Sequence, residues 1–364
     1  MSHRFFWTLL KYAIGLAILG AVIWSNWAPE GRPGLSDIDF RSIAPRFIAL
    51  AWSCVFLAVS CTVFRWYILI RAQGLPVTLQ EVIRLGLLGH ALSTLLPGVV
   101  GGDIVKAATL ARGQSRRTVA IATIVFDRVV GMAGLFWLVA ILGSLLQAAG
   151  GVQSATLQYV VLGACTIAGF TFLLWVGVNL IPRSWIKPVA KRLTDVPKVG
   201  HALSELWRTL DMYRMRGKNV LAALLLSMLG HALTIFAFYY SSRSLFPDVR
   251  PPAIPPLKDH LLMVPVGMTI QAGFPTPGGV GGGEFAFGKL YEQLGGDGAK
   301  GVSMAFLHRI VVYSVSLVGY LIFLQMRPSS PLLTVTESQG DQDSNIEETI
   351  TPSYDEHGTP PRMR

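Results

Sequence analysis

Charge is scarce in this chain. Asp, Glu, Lys and Arg make up only 14% of its 364 residues, where water-soluble domains carry about 25%, so a water-soluble enzyme is excluded first. Cysteine is scarcer still. Cys54, Cys61 and Cys165 are odd in number and sit inside apolar stretches, which excludes a disulfide-built secreted scaffold. His, Cys and acidic residues do not cluster at metal-ligand spacing. The glycines from Gly278 to Gly283 do not fall into the G-x-G-x-x-G order of a nucleotide fold. No metal, no cofactor and no catalytic residue are therefore expected, and the chain is not read as an enzyme.

Apolar length is abundant instead. Hydrophobic residues reach 52% and the mean hydropathy is +0.49, the composition of a polytopic membrane protein. Crossing a bilayer takes roughly 20 apolar residues. Six runs meet that need: Phe5 to Trp27, Phe47 to Ile70, Val119 to Leu146, Tyr159 to Ile181, Val220 to Leu245 and Val302 to Met326. The first has a long apolar core and no small-x-small cleavage site, so it reads as an anchor that stays.

Two further apolar stretches, Leu79 to Arg112 and Pro255 to Leu294, are broken near their middles. The breaks are Leu96 to Asp103, with Pro97, Gly101 and Gly102, and Pro275 to Glu284, with Pro277, Gly282 and Gly283. Proline lacks a backbone donor and glycine weakens a helix, so each stretch predicts a re-entrant helix, loop, helix. Irregular backbone at membrane depth must face protein or water. The expected fold is all-α and polytopic: six spanning helices plus two re-entrant helical hairpins.

The formal charge of +10 combines opposite regions. From Pro328 onward seven acids stand against Arg362 and Arg364, and this Ser, Thr, Pro and acid-rich segment, 328–364, is expected to be a disordered acidic cytoplasmic tail. With the N-terminus in the cytoplasm, the loops on that side hold 17 Lys and Arg. The other side holds eight: Arg32, Arg41, Arg46, Arg243, Arg250, Lys258, Lys289 and Lys300. That is the sense of the positive-inside rule, with both termini cytoplasmic and the inner membrane as location. The same rule accounts for the basic balance without a nucleic acid partner. Loop 182–218 carries nine Lys and Arg and three acids, with Leu203, Leu206, Trp207 and Leu210 at amphipathic-helix spacing. It is expected either to lie on anionic inner-leaflet lipid or to pack on the protein as a solvated connector.

An internal repeat organises residues 1–327. The interval from Asp103 to Asp127-Arg128 equals the interval from Glu284 to His308-Arg309. Each unit reads Gly-Gly, acid, short helix, loop, then a spanning helix with a polar residue followed by Arg. Three crossings separate the units, and an odd number inverts the second copy. Repeat 1 covers about 5–147 and repeat 2 about 159–327. Inverted repeats with broken helices near the midplane are the usual build of alternating-access transporters.

Asp127, Arg128, His308 and Arg309 sit inside spanning runs, where a charge costs at least about 2.5 to 3.5 kcal/mol. They are the candidate substrate-binding residues, and the two arginines have a fork suited to phosphate. Mutual neutralisation of acid and arginine to hold helices together is the plainer alternative. Asp103 and Glu284 begin helices, where a carboxylate caps free N–H groups; binding a cation, or locking to Arg128 and Arg309, is the other reading. Lys106 and Lys289 follow one turn or so later and are grouped with them, either joining these networks or snorkelling to the interface. His90 and His231 read as histidines satisfied by neighbours, and Arg65, five residues from the inner end of its run, as a snorkelling side chain.

On the signature Leu96-Pro97-x-x-x-Gly101-Gly102-Asp103, Asp127-Arg128, Pro277 through Glu284 and His308-Arg309, the chain resembles the lysylphosphatidylglycerol synthase transmembrane region family, the flippase-like integral membrane family. The resemblance covers about residues 5 to 327. It implies a flippase-like transmembrane domain that moves lipids or lipid-linked groups between leaflets. In bifunctional members an aminoacyltransferase domain follows; here it is expected to be absent. The expectation is a lipid translocase whose partner is a membrane lipid with a phosphate-bearing headgroup, and self-association is left open. A membrane-embedded transferase on a lipid-linked substrate, with Asp103, Asp127 or Glu284 as base, and a non-transporting scaffold of an envelope-biosynthesis complex are the alternatives.

Overall fold

The computed structural model describes residues 3–27, 34–37, 42–96, 101–112, 114, 116–151, 154–195, 200–249, 251, 253–274 and 276–326. Pro97 at the first break and the expected tail at 328–364 lie outside them. Residues 1–326 form one compact unit. Among the described residues it is built of α-helices, with one short 3-10 turn at Leu35–Asp37.

Among the described residues five helices are long and apolar enough to cross a membrane. They are α2 (Pro45–Ala72), α5 (Arg117–Ala148), α6 (Ala155–Leu180), α9 (Gly217–Leu245) and α12 (Gly298–Gln325). Ahead of them, α1 runs His3–Trp27. The broken stretches form pairs of short helices: α3 (Leu79–Leu95) with α4 (Gly101–Arg112), and α10 (Leu257–Gly273) with α11 (Gly282–Gln293). Both pairs have 17 residues and then 12. At about 1.5 Å per residue, each short arm reaches about 18 Å, too short for a bilayer's hydrocarbon core of about 30 Å.

Local chemistry sets the boundaries. Pro45 occupies the first turn of α2, where its missing N–H costs nothing. Thr78 and Glu81 form a capping box at α3. The Glu81 N–H donates to Thr78 Oγ1 at 3.2 Å, and the Thr78 N–H donates to Glu81 Oε2 at 2.9 Å. Asp297 caps α12 by accepting the Ala299 N–H at 3.0 Å. Gly281, just before α11, has a φ of 83°. Glycine adopts that conformation at no steric cost.

Helix α2 packs most extensively on α9, and α5 lies against both α6 and α9. Small residues let these helices approach closely, the usual means of association in lipid. At Gly134 of α5 an added Cβ would stand 2.3 Å from Ser227 Oγ of α9, and at Gly102 of α4 it would stand 1.9 Å from the Gly89 carbonyl oxygen of α3. The α6 face bearing Leu162, Phe170 and Leu173 is exposed, which suits a surface that meets lipid.

Between α6 and α9 lie α7 (Arg183–Thr194) and α8 (Gly200–Met215). Of the two readings of this loop, packing on the protein is seen along α8. Ser204, Thr209 and Tyr213 are buried. Tyr213 stacks on Phe126 with ring centroids 3.9 Å apart, and Gln73 Nε2 donates to the Thr209 carbonyl at 3.0 Å. Burial raises the pKa of the Tyr213 hydroxyl, against a lowering hydrogen bond with Gln73. Leu203, Leu206 and Leu210 stay exposed.

Candidate functional site

Two acid–arginine pairs occupy equivalent places in the two units. Arg128 Nε of α5 donates to Asp103 Oδ2 of α4, and Arg309 Nε of α12 donates to Glu284 Oε1 of α11 at 2.6 Å. The short arm of each hairpin is thereby tied to the following long helix. Capping and locking are both realised at Glu284. Its other oxygen accepts the Gly281 N–H at 2.8 Å, so one carboxylate closes the helix end and holds the arginine. The fork of Arg309 continues into the hairpin loop, with Nη1 donating to the Gly278 carbonyl at 2.9 Å and Nη2 to that of Gly279 at 3.4 Å. Asp103 is shared instead with Lys106, whose Nζ lies 3.2 Å from Oδ1 and over the Trp66 ring at 4.4 Å.

The environments differ. The Glu284 side chain is fully buried and that of Arg309 is 12% exposed, whereas Arg128 is 42% exposed. Asp127, expected beside the substrate, is turned away: its carboxylate takes Arg65 Nε at 2.7 Å and Nη2 at 3.1 Å. This corrects the reading of Arg65 as a snorkelling side chain. Burial beside a carboxylate on another helix holds it in place, because an intramembrane charge needs a partner. Arg65 Nη1 also donates to Ser227 Oγ at 3.2 Å, and that hydroxyl donates to the Gly131 carbonyl at 3.0 Å. His231 Nε2 meets the same carbonyl at 3.0 Å, so this histidine is satisfied by a neighbour as expected.

In the second unit the corresponding place holds no ion pair among the described residues. Phe238 and Arg65 each stand seven residues before the end of their helices, α9 and α2. His308 corresponds to Asp127 by the shared spacing. Phe238 and His308 stack with centroids 3.6 Å apart. An aromatic pair thus replaces an ion pair at related positions.

These groups surround a cavity of about 400 Å³. Its wall includes Arg65, His90 and Arg128 from the first unit and His231, His308, Arg309 and Tyr313 from the second. Among the described residues no carboxylate lines it: Asp103, Asp127 and Glu284 stand behind the arginines they hold. His90 Nε2 and His308 Nδ1 are buried without a hydrogen-bond partner among the described residues. For His90 this departs from the expected satisfied histidine. The hairpins meet at the wall, where a Cβ at Gly278 would stand 3.4 Å from the Thr94 carbonyl oxygen.

Glycines beside the breaks stand where a side chain would clash. A Cβ at Gly282 would lie 2.2 Å from the Phe274 ring, at Gly283 2.8 Å from Gln271 Oε1, and at Gly101 2.7 Å from the Leu96 side chain. Pro277 turns the loop, its carbonyl accepting the Val280 N–H at 3.1 Å. Of the two readings of the lysines, Lys289 takes the one outside the network. It pairs with Glu292 at 2.8 Å with its side chain 58% exposed and does not join the network. Lys106 follows its acid by three residues and returns over it; Lys289 follows by five, which turns it to another face of the helix. Sequence reasoning gave Arg65 no part in the site and did not single out Phe238, although Asp127 in a spanning run signals that a cation must come from another helix.

An all-helical polytopic membrane protein, with a cavity between two related helical units whose largely apolar wall carries several polar side chains, is the class these features define. A family profile described as the lysylphosphatidylglycerol synthase TM region matches residues 9–319, and the chain belongs to that family. It is an integral membrane protein of a family concerned with membrane phospholipid. No curated protein and no solved structure matches the chain.

Proposed function

We propose that this protein is a lipid translocase, in which a phosphate-bearing headgroup passes through the cavity between the two units while the hydrocarbon chains stay in lipid. One observation carries the reading: Arg65 and Arg128 of the first unit and Arg309 of the second converge on one cavity of about 400 Å³, with their carboxylates behind them. Guanidinium forks pair well with phosphate oxygens. A polar surface already built at membrane depth lowers the cost of carrying a charged headgroup across hydrocarbon.

The six-span, two-hairpin inverted arrangement belongs to this reading, supported by the equal hairpin arms and the matched ion pairs. So do an inner-membrane location and cytoplasmic termini, supported by the 17 to 8 distribution of Lys and Arg. The exposed stripe Leu203, Leu206 and Leu210, with the basic residues around it, suits anionic lipid at the cytoplasmic surface. A transferase needs a base within reach of its substrate. Asp103, Asp127 and Glu284 are each engaged by a guanidinium, which favours transport over catalysis.

The test is headgroup accessibility in proteoliposomes with fluorescent phospholipids, with protein yield as a control for folding. Wild type should exchange label between leaflets, Arg128→Ala and Arg309→Ala should abolish exchange, and Arg→Lys should keep part of it. If the arginines only neutralise acids, Asp103→Ala with Arg128→Ala should restore exchange. No translocation of any phospholipid or polyprenyl-linked lipid by wild type would overturn the proposal.

A further inference from the structure

We propose, building on the translocase reading, that the cavity selects a headgroup that combines phosphate with uncharged hydroxylated groups and bears no cation. Three guanidiniums and no carboxylate line the described wall. Each nearby carboxylate is already engaged: Asp127 by two nitrogens of Arg65, Asp103 by Arg128 and Lys106, Glu284 by Arg309 and the Gly281 N–H. Among the described residues four cations, Arg65, Lys106, Arg128 and Arg309, thus gather around three acids, and the excess positive charge suits a bound anion.

An ammonium group entering the cavity would meet guanidiniums and, among the described residues, no acceptor of opposite charge on the wall. At about 6 Å and an effective dielectric constant of about 20, one such like-charge contact weakens binding on the order of a hundredfold. An aminoacylated phosphatidylglycerol is therefore disfavoured, and phosphatidylglycerol itself fits.

The neutral part of the wall points the same way. Ser93, Thr94, Thr234, Gln271 and Tyr313 belong to the wall; the Thr94 and Thr234 hydroxyls donate to the Ala91 and Gly230 carbonyls and Gln271 Nε2 to that of Gly278, which leaves their oxygens to accept from hydroxyl groups. Buried His90 Nε2 and His308 Nδ1 lack partners among the described residues while their rings form part of the wall. A buried polar atom without a partner is costly unless a ligand supplies one. His308 also stands where the first unit has Asp127, and its stacking partner is Phe238 and no arginine. The repeat thus omits an acid at the position whose side chain reaches the wall.

The experiment is thermal unfolding and lipid titration of the full chain in mixed micelles. The probes are dioleoylphosphatidylglycerol, its lysyl ester with the same acyl chains, and inorganic phosphate. Phosphatidylglycerol should raise the melting temperature and, given the like-charge contact, bind at least about tenfold more tightly than the lysyl ester. His308→Asp should remove most of that preference, while His308→Asn should retain it. Equal affinity of wild type for the two lipids overturns the selectivity and leaves the translocase reading standing. Inorganic phosphate stabilising as much as the lipid would assign the site to free phosphate and overturn the proposal. Failure to translocate any phospholipid would overturn the translocase reading itself. The wild-type comparison decides the matter even if a variant does not fold.

Discussion

Replacing Arg65 by Met isolates what the buried pair on α2 and α5 contributes. The two side chains are 8% and 4% exposed, and two nitrogens of the guanidinium contact the two oxygens of Asp127 at 2.7 and 3.1 Å. Removing one partner of a buried pair costs about 3 to 5 kcal/mol, because the other charge is left uncompensated. The lost bond to Ser227 adds about 0.6 kcal/mol, the mean for side-chain hydrogen bonds between membrane helices. At about 2 °C per kcal/mol for a large chain, Arg65→Met should lower the apparent melting temperature by roughly 7 to 11 °C. Arg65→Lys, which keeps the charge and loses the fork, should fall between. Arg65→Met with Asp127→Leu removes both charges and should return most of the loss. The assay is thermal unfolding in detergent at one scan rate, since membrane proteins commonly unfold irreversibly. A double variant as unstable as the single one would refute the ion-pair explanation and point to packing around Arg65.

Glu284→Gln keeps an oxygen to accept the Gly281 N–H and gives up the charge on Arg309. It should be milder in thermal unfolding than Glu284→Ala, which loses both; a removed cap alone costs about 1 kcal/mol. Gly102→Ala should be strongly destabilising, because its Cβ would stand 1.9 Å from the Gly89 carbonyl oxygen, whereas Gly20→Ala meets open space. The second should be near neutral, and comparing folded yields by size-exclusion chromatography checks both. Lys289→Ala, at a pair with one largely exposed partner, should change lipid exchange little.

The helices were legible because apolar runs of about 20 residues have few other uses, and the breaks because Pro and Gly clusters stop helices wherever they fall. The pairs Asp103–Arg128 and Glu284–Arg309 were one reading the sequence left open beside helix capping and cation binding, because charges placed alike inside two apolar runs need alike partners. What stayed hidden depends on contacts between helices distant in sequence. Arg65 and Asp127 are 62 positions apart, and an arginine near a run's end looks the same whether it reaches water or a carboxylate. Asp127 was accordingly expected beside the substrate when it supports the residue that reaches the cavity. His90 sits among apolar neighbours in sequence, and only the convergence of α2, α3, α9 and α12 makes it part of the cavity wall. Lys106 and Lys289 looked equivalent until helical phase separated them.

The central claim is that guanidiniums from both units hold one phosphate headgroup. Native mass spectrometry of the purified chain, with bound lipids identified by fragmentation, addresses it most directly. The account predicts one phosphate-bearing lipid retained per wild-type chain, and its loss in Arg128→Ala and in Arg309→Ala taken singly. Retention of the lipid in both folded variants would contradict it.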